Sequence, residues 1–297
     1  LKVRVRRGFI ESFTVSTTKK ESTGKSAAAV ESPEGALLAA LGSIYPVRSL
    51  PLALSVGYMN TPDKGMVLTA SMQIEAATLN DSASTETQKA EVDVIGAALN
   101  DRGSIYSFKQ KLSVPAATSV AVKGQRAIVW NQQLPVSPGL YQVRVAVRER
   151  QSGRTGSAMQ WIEIPRITAE NFSMSSIFIG ELKAVDPAAS VNVPLSVERR
   201  FSRSSRLRYQ TYFYNLSRKV DAPDVVVRVQ ILRDGQLVML ISQSKLATAG
   251  AADLARISFV GEIALERLPA GRYVLHISAS DQKSGKSIAQ QTDFIVE

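Results

Sequence analysis

Residues 139–154 read GLYQVRVAVRERQSGR, and residues 271–286 read GRYVLHISASDQKSGK. In the first stretch Tyr141, Val143, Val145 and Val147 alternate with Gln142, Arg144, Ala146 and Arg148. In the second, Tyr273, Leu275, Ile277 and Ala279 form the apolar set. A period of two puts each set on one face of a strand, the pattern of antiparallel sheets packed on one side and wet on the other. The two stretches align at an offset of 132 residues, which sets Gly139 on Gly271, Tyr141 on Tyr273 and Ser152-Gly153-Arg154 on Ser284-Gly285-Lys286. The same offset lays Leu99 on Ile231, Gly103 on Gly235 and Ile105 on Leu237. A register held over both hairpins identifies two copies of one domain.

Working outward, residues 66–75 place Met66, Leu68, Ala70, Met72 and Ile74 on one face, with Val67, Thr69, Ser71, Gln73 and Glu75 on the other. Val225, Val227, Val229 and Ile231 repeat the pattern, and Asp234-Gly235 is a two-residue hairpin signal. The boundary falls near Pro165, giving domains of 50–165 and 166–297, sizes that suit seven- to nine-stranded sandwiches. The copies diverge most over 61–90, where a polar loop (TLNDSASTETQ) enters. Ahead of them lies an arm, residues 1–49, made of a strand pattern in LKVRVRRGF, a polar linker over 11–30 and one short helix. Ser32 caps that helix, Pro33 opens it, Gly42 stops it, and Leu37, Leu38 and Leu41 share a face. About three turns do not persist alone in water, so the helix is expected to dock on the neighbouring sandwich. The fold class is therefore mainly β: two tandem antiparallel β-sandwich domains, immunoglobulin/fibronectin III-like, with a short N-terminal helix.

The chain has 297 residues, 44% hydrophobic and only 6% aromatic, so its cores are built mainly from Val, Ile, Leu and Ala. It has no cysteine, which excludes disulfides, zinc-thiolate sites and thiol nucleophiles. No apolar run approaches the length that crosses a bilayer as a helix. A net charge of +10 favours acidic partners, although a spread of Lys and Arg over a soluble surface produces the same total.

The candidate sites are few. Gly24-Lys25-Ser26 and Gly285-Lys286-Ser287 resemble the end of a phosphate-binding loop, but Lys19 and Ser280 stand where that loop needs its first glycine. The single histidine, His276, points outward with Val274 and Ser278 and lacks partners for a serine–histidine or metal site. Asp81, Asp93, Asp101, Asp221, Asp224, Asp234 and Asp281 are scattered, mostly at turns, without calcium-loop spacing. No cofactor and no metal is expected. The sharpest charge feature is ERRFSRSSRLR (198–208), in which Arg199, Arg200, Arg203, Arg206 and Arg208 are polyanion-contact candidates that could fork onto phosphates or sulfates. A solvated loop entering a strand explains them equally, and no nucleic-acid-binding signature accompanies them. Trp130, Trp161, Tyr212 and Tyr214 are the remaining aromatics of interest, as packing or as an exposed platform.

LKVRVRRGF, followed by a linker, a short helix and LPLALSVGY (50–58), resembles the von Willebrand factor A-related family of acidobacterial proteins. Members are similar in ending their A-type domain with a strand and an Arg-Lys/Arg-Gly-aromatic sequence, here Arg6-Arg7-Gly8-Phe9. Two all-β domains follow, the last reading like GEIALERLPAGRYVLHISASDQKSGKSIAQQTDFIVE (261–297). The resemblance implies an upstream A-type domain and an extracytoplasmic protein of the periplasm, cell surface or medium. The adhesion motif D-x-S-x-S of such A-type domains is not carried over, because Asp81-Ser82-Ala83-Ser84-Thr85 has Ala at the third position. The expectation is thus a non-catalytic module that presents sandwich loops or faces to a protein or extracellular polymer. Polyanion or glycan binding through residues 199–208 is the alternative, and an enzyme whose carboxylates meet only in the fold is a third reading.

Overall fold

The computed structural model describes residues 32–75, 78–79, 89–103, 105–115, 127–168, 171–182, 195–216, 223–247 and 255–297. The strand expected over 1–9, the linker over 11–30, Gly24-Lys25-Ser26, Asp221 and the Asp81–Thr85 string lie outside these residues. Helix α1 (Pro33–Gly42) is followed by seven strands: β1 (Leu52–Thr61), β2 (Gly65–Glu75), β3 (Lys89–Asn100), β4 (Ile105–Pro115), β5 (Ala127–Pro135), β6 (Gly139–Glu149) and β7 (Thr155–Ile164). They form a three-stranded sheet in the order β1-β2-β5 and a four-stranded sheet in the order β4-β3-β6-β7. The inward residues of both sheets, Leu68, Ala70, Met72 and Ile74 against Val94, Val143, Val145 and Val147, make one core. Three strands facing four in this order is an immunoglobulin/fibronectin III-like sandwich.

The second sandwich uses β8 (Ser173–Met174), β9 (Phe178–Leu182), β10 (Arg200–Phe201), β11 (Arg206–Tyr214), β12 (Val225–Arg233), β13 (Gln236–Lys245), β14 (Arg256–Ala264), β15 (Gly271–Asp281) and β16 (Ser287–Val296). One sheet runs β10-β16-β15-β12-β13; the other runs β14-β11-β8, with β9 also on β11. Its core is separate and gathers Val227, Val229, Ile231, Leu275, Ile277, Leu207 and Phe213. The passage between the sandwiches occupies 165–172.

The repeat extends to single atoms. Strands β6 and β7 begin and end 132 residues before β15 and β16. Tyr141 Oη donates to the Ser137 carbonyl at 2.8 Å, and Tyr273 Oη donates to the Pro269 carbonyl at 2.7 Å. This corner, in which a buried tyrosine ties the strand start to the preceding turn, fixes where β6 and β15 enter their sheets. At the other end of each strand a buried carboxylate closes the hairpin. Glu149 accepts from Ser152 Oγ and from Arg154 Nη2 (3.0 Å), and Asp281 accepts from Ser284 Oγ (2.7 Å) and the Lys283 amide (2.9 Å). The Asp234-Gly235 turn has positive φ at both residues, 52° and 76°, as a tight hairpin of the matching twist requires.

Helix α1 lies on the outer face of β3 and β6, where Leu37 and Ala40 cover Ile95 and Ala146. Glu34 in its first turn pairs with Lys109 at 2.7 Å. The Arg144 guanidinium donates to the carbonyls of Leu41, Gly42 and Ser43 at 3.2–3.3 Å, so the helix end is closed by a cation from the sheet beneath. One residue departs from the sequence reading: Leu38 is 42% exposed, and the buried stripe runs through Leu37 and Ala40. A second departure matters more. On β2 the face expected to be wet is covered, with Val67, Thr69 and Ser71 all buried.

Candidate functional site: the seam between the sandwiches

β1 is the edge strand of its sheet, so the amides of alternate residues have no strand partner on the outer side. Each of three successive outward N–H groups finds a side-chain acceptor instead. Val56 donates to Gln160 Oε1 (3.2 Å), Tyr58 to Ser176 Oγ (3.0 Å) and Asn60 to Tyr214 Oη (2.8 Å). The last two acceptors belong to the second sandwich. Ser176 N–H returns a bond to the Tyr58 carbonyl at 3.0 Å. Tyr58 Oη donates to the Met174 carbonyl (3.1 Å) and accepts from Gln290 Nε2 (2.8 Å). Tyr58 is buried, which pushes its hydroxyl pKa up, as do the neighbouring Tyr214 and Glu163.

Local sequence explains why the strands admit this contact. Between β8 and β9 the chain runs Ser175-Ser176-Ile177. Ser175 is fully buried and stays with its own sheet through Thr211 Oγ1 (3.1 Å) and the Tyr212 amide (3.0 Å). Ser176 is thereby turned outward to meet Tyr58. At Gly57 a Cβ would come within 2.9 Å of the Phe178 ring and 3.3 Å of Ser176 Cβ, so the close approach needs a residue without a side chain. Above these contacts Thr69 and Ser71 of β2 face Ile177–Ile179 and Arg199 across a small crevice. Arg199 Nη2 reaches Ser55 Oγ at 2.8 Å.

The five candidate arginines separate in space. Arg199 belongs to the seam. Arg200 pairs with the Glu297 carboxylate, and Arg203 Nη2 donates to the Glu266 carbonyl at 3.1 Å. Arg206 and Arg208 share the outer face of β11; Arg206 pairs with Glu262 at 3.3 Å, and Arg208 Nε is buried without an acceptor. Tyr214 is buried at the seam. Tyr212 is half-buried, with the Arg256 guanidinium 4.1 Å above its ring. Trp130 packs on the first core, whereas Trp161 is 57% exposed on β7.

The remaining candidates occupy structural roles. Asp93 takes both forks of Arg150 at 2.8 and 2.9 Å, which holds its pKa below the usual carboxylate range. Asp224 pairs with Lys245 at 3.0 Å. His276 is half-buried on the outer face of β15, and its Nδ1 has no hydrogen-bond partner. Gly285-Lys286 forms the β15–β16 turn and Ser287 opens β16, so no helix follows to cradle a phosphate. Among the described residues, no group of three or more His, Asp or Glu side chains could hold a metal. No described helix is long and apolar enough to cross a membrane.

No family model and no curated protein matches the sequence. Among solved structures the chain is similar to a red sea bream transglutaminase, at 12% identity and a TM-score of 0.25 over 83% of this chain. It spans 31% of that protein's length. It is also similar to the fibronectin(III)-like modules of Clostridium thermocellum CbhA, at 11% identity and a TM-score of 0.21, over 83% of this chain and 94% of that one. Overlaps this loose carry no argument, and the fold assignment rests on strand order, the two cores and the paired tyrosine corners.

Proposed function

We propose that the chain is a non-catalytic interaction module: a rigid double sandwich that holds its sheet faces and loops in one mutual orientation for a partner outside the cytoplasm. The carrying observation is the β1 edge, whose amides at Tyr58 and Asn60 are bonded by side chains of the second sandwich. Beads on a flexible linker do not bury such bonds; a fixed double unit does. Opposite the seam, Tyr45 (81% exposed) and Trp161 (57% exposed) flank the crevice between the end of α1 and Met159 of β7. Large exposed aromatics on one face suit contact with a protein or polymer surface. The extracytoplasmic setting and the upstream A-type domain are supported by the resemblance at Arg6-Arg7-Gly8-Phe9 and over 261–297.

The test is co-sedimentation of the purified chain with isolated bacterial cell envelopes, beside a Tyr45→Ser/Trp161→Ser variant. Retention that falls several-fold in the variant supports the reading. Retention equal in both proteins overturns the face assigned, and breakdown of envelope polymer during incubation overturns the non-catalytic one.

A further inference from the structure

The crevice in the seam is chemically one-sided. Its polar lining consists of the hydroxyls of Ser55, Thr69, Ser71 and Ser196 and the guanidinium of Arg199, and no carboxylate lines it. Thr69 is 95% buried, and its Oγ1 has no hydrogen-bond partner. A buried hydroxyl is rarely left in that state. Arg199 is drawn out of water without an ion pair. Its guanidinium bonds only Ser55 Oγ, burial pulls its pKa down, and the opposing pull comes from Asp293 at longer range.

The backbone is arranged to aim it there. Arg199 holds a left-handed φ of 55°, uncommon for a residue with a side chain. Two bonds fix that conformation: its amide donates to Ser196 Oγ (3.1 Å), and its carbonyl accepts from the Ile295 amide (2.8 Å). The next residue, Arg200, turns away to Glu297. A strained residue that points a cation into a cavity lined by donors marks a place where something negative belongs.

Size selects the ligand. The cavity measures about 20 Å³, room for one water-sized group. Sulfate, phosphate and carboxylate are several times too large, whereas a halide is close to water in size and accepts hydrogen bonds from every direction. We propose that this cavity is a chloride site, in which Arg199 and the hydroxyls of Thr69 and Ser71 bind one monovalent anion between the two sandwiches. The ion supplies the counter-charge that Arg199 lacks and links the β2 face to the second domain.

Bromide replaces chloride and scatters anomalously, so crystals soaked in sodium bromide give the direct test. An anomalous peak within hydrogen-bonding distance of Arg199 and Thr69 Oγ1 is expected. In solution the thermal midpoint is expected to be higher in sodium chloride than in sodium gluconate at equal concentration, because an ion bound only by the folded state stabilises it. Thr69→Val keeps the volume and removes the orphan hydroxyl, so it should shrink that difference even if Arg199→Gln fails to fold. An ordered water with no anomalous peak, or equal midpoints in the two salts, overturns the site. So would sulfate in the cavity, since the size argument forbids it. The proposal concerns the ion alone: its failure leaves the hydrogen-bonded seam to its own test through Tyr58.

Discussion

Replacing Tyr58 by Phe removes one oxygen from the seam and leaves both cores untouched. That oxygen donates to the Met174 carbonyl at 3.1 Å and accepts from Gln290 Nε2 at 2.8 Å. Met174 is 4% exposed, so its carbonyl loses its Tyr58 donor where water is excluded, at a cost of about 1–3 kcal/mol. Gln290 is half-buried and can turn towards solvent, which keeps the total near the lower end of that range. For a folded unit of this size, about 1 kcal/mol moves the thermal midpoint by roughly 2–4 °C, so a fall of about 2–6 °C is expected by calorimetry. Tyr212→Phe is the control. Its hydroxyl accepts only from Gln210 Nε2, on a half-buried surface, and its midpoint should stay within about 1 °C of the parent. Hydrogen exchange supplies the local readout: the amides of Tyr58 and Asn60 should exchange faster in Tyr58→Phe, and those of Val143 and Ile277 in the two cores should not. A midpoint and exchange pattern equal to the parent would refute the claim that the hydroxyl holds the sandwiches together.

Three further outcomes follow from particular contacts. Arg144→Ala leaves the carbonyls of Leu41, Gly42 and Ser43 without their guanidinium, so the amides of α1 should exchange several-fold faster while those of β6 keep their protection; equal exchange in α1 would show that the helix is held by Leu37 and Ala40 alone. Burial by itself raises the pKa of Asp281, but hydrogen bonds from Ser284 Oγ and the amides of Lys283 and Ser284 outweigh it and hold the carboxyl below its ordinary value. Its folded pKa is therefore below its unfolded one, so the stability it contributes is complete above about pH 4 and is lost as pH falls through the folded value. Asp281→Asn should flatten the dependence of stability on pH below 4, and an unchanged slope in acid titrations refutes the assignment. On heparin, Arg199→Ser/Arg200→Ser/Arg203→Ser should elute at the same salt as Lys64→Ser/Arg102→Ser/Lys111→Ser, because each removes three charges from a +10 chain. A much earlier elution of the first variant would instead establish a specific polyanion site there.

The architecture was legible because β-sheet burial writes a period of two into the chain, and Tyr141 and Tyr273 do the same work 132 residues apart. The hairpin turn at Asp234-Gly235 was legible for a similar reason, since few residue pairs accept positive φ at both positions. The seam was not legible. Thr69 and Ser71 are small hydroxyl residues that read as a wet face, and nothing local shows that a second domain covers them. Ser55, Thr69 and Ser71, short hydroxyls where an exposed sheet favours long charged side chains, were the available hint. The arginine cluster misled in the opposite direction: adjacency in sequence suggested one patch, but alternation along β11 and the left-handed turn at Arg199 send the five guanidiniums to different neighbours. Leu38 failed because a helix on a sheet buries a stripe narrower than three leucines, and the small Ala40 let the helix sit closer.

Backbone residual dipolar couplings, collected for both sandwiches in one aligned sample, ask directly whether they move as one body. The account predicts that couplings from 52–164 and 173–296 fit a single alignment tensor with the coordinates as they stand. Two tensors of clearly different magnitude or direction would mean that the sandwiches reorient independently, and that the bonds around Tyr58 do not hold in solution.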